Sequence, residues 1–167
     1  MNRYVDILNR IRQQVCVDWL TPSQKQAYDK IRSYLQFADE VNLCGAHGSG
    51  KTFLAWVFQL EGKADYVVRL EKLYRKLSLN RTIVVDNVGW RRTEAREVLH
   101  RCRMLGYEKV ILVSVEAVRD DIAHVSLSLT SEDVEKVQQN LQAIRVPPFA
   151  DNPRSLWEIV SPLHVHG

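Results

Sequence analysis

Cysteine is scarce in this chain. Cys16, Cys44 and Cys102 are an odd number without C-x-x-C spacing, which argues against both a disulfide framework and a structural zinc site. All three are expected as reduced, mostly buried thiols. No apolar run reaches 18 residues, so no membrane-spanning helix is expected. The opening stretch MNRYVDILNRIRQQVCVDWL interrupts its apolar residues with charges every few positions, leaving no signal-peptide core, and the expectation is a cytoplasmic protein. Repeats, linkers and low-complexity tracts are also missing. Neither sign of charge dominates, since 23 basic residues face 20 acidic ones for a net +3. That surplus is uneven: residues 69–109 hold 11 Lys and Arg against 5 Asp and Glu, and this local +6 leaves −3 for the remainder. Such asymmetry suits a polyanionic partner or a merely solvated surface.

What is present is an ordinary globular composition of 167 residues, 46% hydrophobic and 26% charged, enough for one domain that buries roughly 70% of its unfolded surface. Tyr4, Leu8, Ile11 and Val15 recur at 4, 3, 4 spacing and predict an amphipathic helix within residues 1–19. Thr21-Pro22-Ser23 reads as an N-cap with proline in the first turn of a helix running to about Leu35. Short apolar strands then alternate with helices: strands at 41–44, 66–68, 82–86, 109–114 and 124–129, and helices at 52–60, 71–79, 93–105 and 131–144. Gly106 closes the third of these helices, and Ser131 opens the last with Glu132 and Asp133 in its first turn. The alternation predicts an α/β fold with a parallel five-stranded sheet covered by helices on both faces. The core is expected over 20–146, with an irregular proline-bearing tail over 147–167.

Gly45-Ala46-His47-Gly48-Ser49-Gly50-Lys51-Thr52 is a complete G-x-x-x-x-G-K-T match that follows a predicted strand and opens a predicted helix, the context this motif requires. Its backbone N–H groups and helix N-terminus suit phosphate oxygens, which Lys51 can bridge, while the Thr52 hydroxyl suits Mg²⁺. His47 reads either as part of that loop or as a surface histidine. Thr82-Ile83-Val84-Val85-Asp86 supplies a carboxylate at the C-terminal edge of a buried strand, where ligands of open α/β sheets bind.

On these motifs the sequence resembles the P-loop NTPases, and most nearly ATPases of the AAA/AAA+-like (ASCE) and helicase kind, over about residues 20–133. The resemblance implies ATP and Mg²⁺ as cofactors, with Asp86 as the Walker-B aspartate. Many such ATPases carry a water-polarising glutamate next; this chain has Asn87, so slow hydrolysis is expected. Leu20-Thr21-Pro22-Ser23-Gln24-Lys25-Gln26-Ala27 is similar to the Q-motif of superfamily 1 helicases, which implies that Gln24 reads adenine. Its amide offers the required donor and acceptor together, although a plain helix start reads equally. Ser114 falls at the sensor position that ends the fourth strand, with Glu116 a weaker candidate. Arg119 falls loosely where an arginine finger serves a neighbouring subunit.

Beyond the nucleotide motifs, Ala95, Val98, Leu99, Cys102 and Leu105 predict the core face of the 93–105 helix. Arg92, Arg96, His100 and Arg103 run down another face, suiting nucleic-acid phosphates or solvent. Asp86-Asn87-Val88-Gly89 spells a GTPase-like D-x-x-G, but no threonine follows within 54–80 and N-K-x-D is missing. The length argues against a complete two-domain helicase and predicts an absent or reduced lid. A small-molecule P-loop kinase, with Arg91-Arg92 clamping a phosphate, stays open as the alternative. The expectation is an ATP-dependent switch or assembly subunit acting on a protein partner, its own copies or nucleic acid, without membrane association, in the manner of helicase loaders and transposition regulators.

Overall fold

Residues 83–85 and 110–113 are wholly apolar, and strand periodicity sends their side chains alternately to two faces. In the computed structural model, which describes residues 3–89, 91–118 and 121–146, both faces are covered. Thr82–Val85 is β3 and Lys109–Ser114 is β4; Ile83, Val85, Val110 and Leu112 point one way, Val84, Ile111 and Val113 the other. The first set packs on Ala95, Val98, Leu99 and Cys102 of helix α4, Arg92–Met104. The second packs on Leu54, Ala55, Val57 and Phe58 of α3, Lys51–Leu60, and on Ala27, Tyr28 and Ile31 of α2, Pro22–Tyr34.

Three further strands complete the sheet: β1, Glu40–Cys44; β2, Asp65–Val67; and β5, Ala123–Ser126. All pairings are parallel and the order is β2-β3-β4-β1-β5. The order matters for function because it inserts β4, ending at Ser114, between the strand that feeds the glycine loop and the strand that ends before Asp86. Helix α1, Arg3–Gln13, folds back on α5, Ser131–Ala143, through Ile7, Ile11, Val137 and Leu141. The proline-bearing tail over 147–167 and Arg119 lie outside the described residues.

Four local expectations need correction. The helix expected over 71–79 is only a single 3₁₀ turn, Leu70–Lys72. The buried carboxylate of Asp65 instead takes Ser78 Oγ (2.6 Å), Asn80 Nδ2 (3.0 Å) and Tyr107 Oη (2.7 Å), and Tyr107 Oη accepts the Leu77 amide. A charge buried that deeply needs those donors more than a short, marginal helix needs its turns. The N-cap of α5 is Thr130, not Ser131: its hydroxyl accepts the Asp133 amide while Asp133 accepts from the Thr130 amide. Strand β5 stops at Ser126 rather than 129, where the chain passes against the glycine loop and turns into that cap. Cys16 is exposed, while Cys44 and Cys102 are buried as expected.

Candidate nucleotide-binding site

The glycine loop leaves β1 at the C-terminal edge of the sheet and enters α3 through Gly50, whose φ of 93° lies in the left-handed region that glycine adopts without strain. Gly45 has a different need. A β-carbon there would stand 2.3 Å from the Leu127 carbonyl oxygen, so only hydrogen fits between the loop and the end of β5. Lys51 curls back over the loop and donates to the carbonyls of Gly45 (2.5 Å) and Ala46 (2.7 Å), with Ser49 Oγ at 3.5 Å. Burial lowers its pKa below the usual lysine value, against the opposing pull of the Asp86 charge. Ser49 is buried, and His47 is exposed on the rim of the adjoining cavity.

Asp86 lies just past β3 and is 8% exposed. Its Oδ2 accepts from Thr52 Oγ1 and from Tyr66 Oη, both at 2.8 Å, and its Oδ1 accepts the Asn87 amide at 2.7 Å. Threonine and carboxylate are therefore already neighbours across 34 residues of sequence. Among the described residues no group of three His, Cys, Asp or Glu side chains is assembled. One carboxylate, one hydroxyl and the oxygens of a bound phosphate are a donor set that fits Mg²⁺, which keeps most of its water and takes few protein ligands. Tyr66 was not legible as a site residue. Burial and the neighbouring Asp86 charge push its pKa well up, so it stays a hydrogen-bond donor.

The remaining expected residues fall at different distances from this centre. Asn87 is exposed, lines the cavity and adopts φ 60°, a left-handed conformation that asparagine tolerates better than most residues. Ser114 is buried at the cavity wall; its hydroxyl donates to the Glu116 carbonyl (2.6 Å) and accepts from Asn42 Nδ2 (2.9 Å). Asn42, in the middle of β1, also donates to Leu112 O and takes the Val118 amide on Oδ1, so it fixes the end of β4. Nothing in a lone strand asparagine announces that role. The Glu116 side chain is exposed and is not part of the cavity wall.

Gln24 lines the cavity, but its amide is engaged at both ends. Oε1 takes the Thr21 amide in a capping box (2.9 Å), and Nε2 donates to the Gly50 carbonyl (3.0 Å). It thereby ties the start of α2 to the phosphate loop. On α4, Ala95, Val98, Leu99 and Cys102 face the core as the periodicity predicts. Arg96 is exposed, Arg103 is paired with Glu40, and the Arg92 backbone starts the helix.

Gln24, Lys51, Thr52, Tyr66, Asp86, Asn87 and Ser114 border one cavity of about 570 Å³, a size ordinary for small-molecule sites. Leu8 and Ile11 of α1, Trp19, and Val137, Asn140 and Leu141 of α5 line it together with the loop, Phe53 and Trp56. The Arg12 guanidinium stands 5.3 Å from the Trp56 ring centroid. The first and last described helices thus contribute walls that no motif marks.

A parallel sheet in the order β2-β3-β4-β1-β5, with a glycine loop running from β1 into α3, is a P-loop NTPase fold. Solved structures share it, and two of them show the extent of the likeness. One is the crystal structure of a DNA replication initiation factor, with a TM-score of 0.60 and 13% identity, covering 92% of this chain and 64% of that one. The other is the replication initiator DnaA bound to AMPPCP and single-stranded DNA, with a TM-score of 0.54 and 14% identity, covering 87% and 61%. The chain therefore spans a little under two thirds of either protein, and at such identities the likeness is one of fold. No protein-family profile matches the sequence, and no curated protein matches it significantly. No helix among the described residues is long and apolar enough to cross a membrane.

Proposed function

We propose that the protein binds ATP at this loop and uses it as a conformational or assembly signal toward a protein or nucleic-acid partner, with slow hydrolysis of its own. The observation that carries the reading is the convergence of Lys51, Thr52 and Asp86 at the edge of one cavity, with Thr52 Oγ1 and Asp86 Oδ2 2.8 Å apart. Thr52 and Asp86 would hold Mg²⁺, which when bound offsets phosphate charge. Lys51 supplies a second positive group, and the loop amides and Gly50–α3 junction orient the phosphates. Ser114, held by Asn42, presents its hydroxyl at the sensor position. Asn87 can orient a water but cannot accept its proton, and general-base help is ordinarily worth about 10²–10⁴-fold.

Arg92, Arg96 and Arg103 are the proposed nucleic-acid contacts, and Arg119 is proposed to serve the site of a neighbouring copy. DnaA, one of these fold neighbours, is bound to AMPPCP and to single-stranded DNA in its structure, which supports an ATPase over a small-molecule kinase. Light scattering after size exclusion, with and without ATP·Mg²⁺ and DNA, tests the reading. An ATP-dependent assembly on itself or on DNA is expected, and Lys51→Ala should abolish it. A monomer that ignores DNA and phosphorylates a metabolite would overturn it.

A further inference from the structure

Resting on the ATP-binding reading, we propose that Asn140 of α5 determines base specificity by accepting a hydrogen bond from the exocyclic amino group of adenine. Asn140 is 9% exposed and lines the cavity. Its Nδ2 donates to the Trp19 backbone carbonyl at 2.8 Å, across 121 residues of sequence. A carbonyl oxygen can only accept, so this bond fixes which way the amide points: nitrogen toward Trp19, Oδ1 away from it. No described residue donates to that Oδ1. A buried amide whose nitrogen is anchored by one hydrogen bond and whose acceptor oxygen is open is matched by a ligand that brings a donor.

The surroundings suit a flat apolar base. Leu8, Ile11, Trp19, Val137 and Leu141 line the same cavity as Asn140, and the α1–α5 contact packs Ile11, Val137 and Leu141 together with Ile7. The 6-position of adenine carries an amino donor, whereas guanine carries a carbonyl acceptor there. Two acceptors brought together leave both unsatisfied, so guanine is disfavoured and a purine lacking the amino group gains nothing. Gln24 is less suited to the task, because both ends of its amide already hold the helix cap and the phosphate loop.

The test compares ATP with purine riboside triphosphate, which has hydrogen in place of the 6-amino group, and with ITP, which has an acceptor there. Affinities for the whole chain are measured in wild type and Asn140→Leu. Wild type should bind ATP about 3- to 10-fold more tightly than purine riboside triphosphate, the worth of one hydrogen bond, with ITP weakest. In Asn140→Leu the first two affinities should become equal, that of purine riboside triphosphate staying within about twofold of wild type. Asn140→Ala carries the same expectation if the leucine variant does not fold, and the wild-type ranking needs no variant. Equal wild-type affinities for the three nucleotides, or an ATP preference that survives at Asn140→Leu, overturn the assignment while leaving the phosphate loop intact as a binding site. Failure of wild type to bind any of them overturns both readings.

Discussion

At the residue scale, the site turns on how many donors one carboxylate holds. Asp86 Oδ2 takes hydrogen bonds from both Thr52 and Tyr66, and bonds to a charged acceptor are individually strong. Tyr66→Phe removes one of them and should cost the nucleotide-free protein about 1–2 kcal/mol. It also removes a competitor for the lone pairs that a cation would use. The gain in melting temperature on adding ATP·Mg²⁺ is therefore expected to be larger in Tyr66→Phe than in wild type; equal gains would show that the tyrosine is indifferent to the bound cation. Asn87 is the other decisive residue. Turnover of the isolated protein should lie well below the ~1–100 s⁻¹ of kinases, rise in Asn87→Glu, and be unchanged in Glu116→Gln, whose side chain is not in the cavity wall. Brisk wild-type turnover that Glu116→Gln abolishes would place the missing base there and end the slow-switch reading.

At the scale of elements, helix termini do more than end helices. Asp133, 1% exposed, caps α5 and also accepts the Ser23 amide at 2.8 Å, so one carboxylate joins the start of α5 to the start of α2. Burial alone would raise its pKa, but the hydrogen bonds from Ser23, Thr21 and Thr130 outweigh it and the net shift is downward. A depressed folded-state pKa means that this stabilisation is complete above the unfolded value of about 3.9 and is lost as pH falls through the lower folded value. Urea melts should show wild type converging on Asp133→Asn below about pH 4, with the two well separated at pH 7. Parallel curves would mean the charge contributes nothing. On α4, the ion pair of Arg103 with Glu40 makes it a poorer phosphate ligand than Arg96. If the face binds duplex DNA, Arg96→Ala should lower the salt slope by about 0.9, and Arg103→Ala by less; titrations at several salt concentrations distinguish them.

At the scale of the whole molecule, the cavity joins the first described helix, the P-loop and the last described helix, so ligand binding should stabilise the fold as a unit. ATP·Mg²⁺ at about 100 times its Kd is expected to add roughly 2.7 kcal/mol. Lys51→Ala, which removes a half-buried side chain lying over the loop and nothing from the apolar core, should melt near wild type without nucleotide and gain little from it. A full nucleotide-induced shift in that variant would remove Lys51 from the phosphate site.

The phosphate loop, the aspartate after β3 and the five-strand alternation are local facts. Glycine conformations, a motif of eight consecutive residues and two-residue strand periodicity are written in short windows, so sequence by itself determined them. The core face of α4 was legible for the same reason, through Ala95, Val98 and Leu99. Residues acting across the fold were not. Tyr66 meets Asp86 only because β2 pairs with β3, and Asn42 holds Ser114 only because β4 inserts beside β1. Asn140 reaches Trp19 only because α5 returns over the cavity. The loop at 71–79 forsook its helical pattern for a buried carboxylate whose demand for donors no local window reveals. Strand order and long-range hydrogen bonds are decided by which buried groups find partners on assembly, so the tertiary structure alone decided the cavity walls and the residues that tune the site.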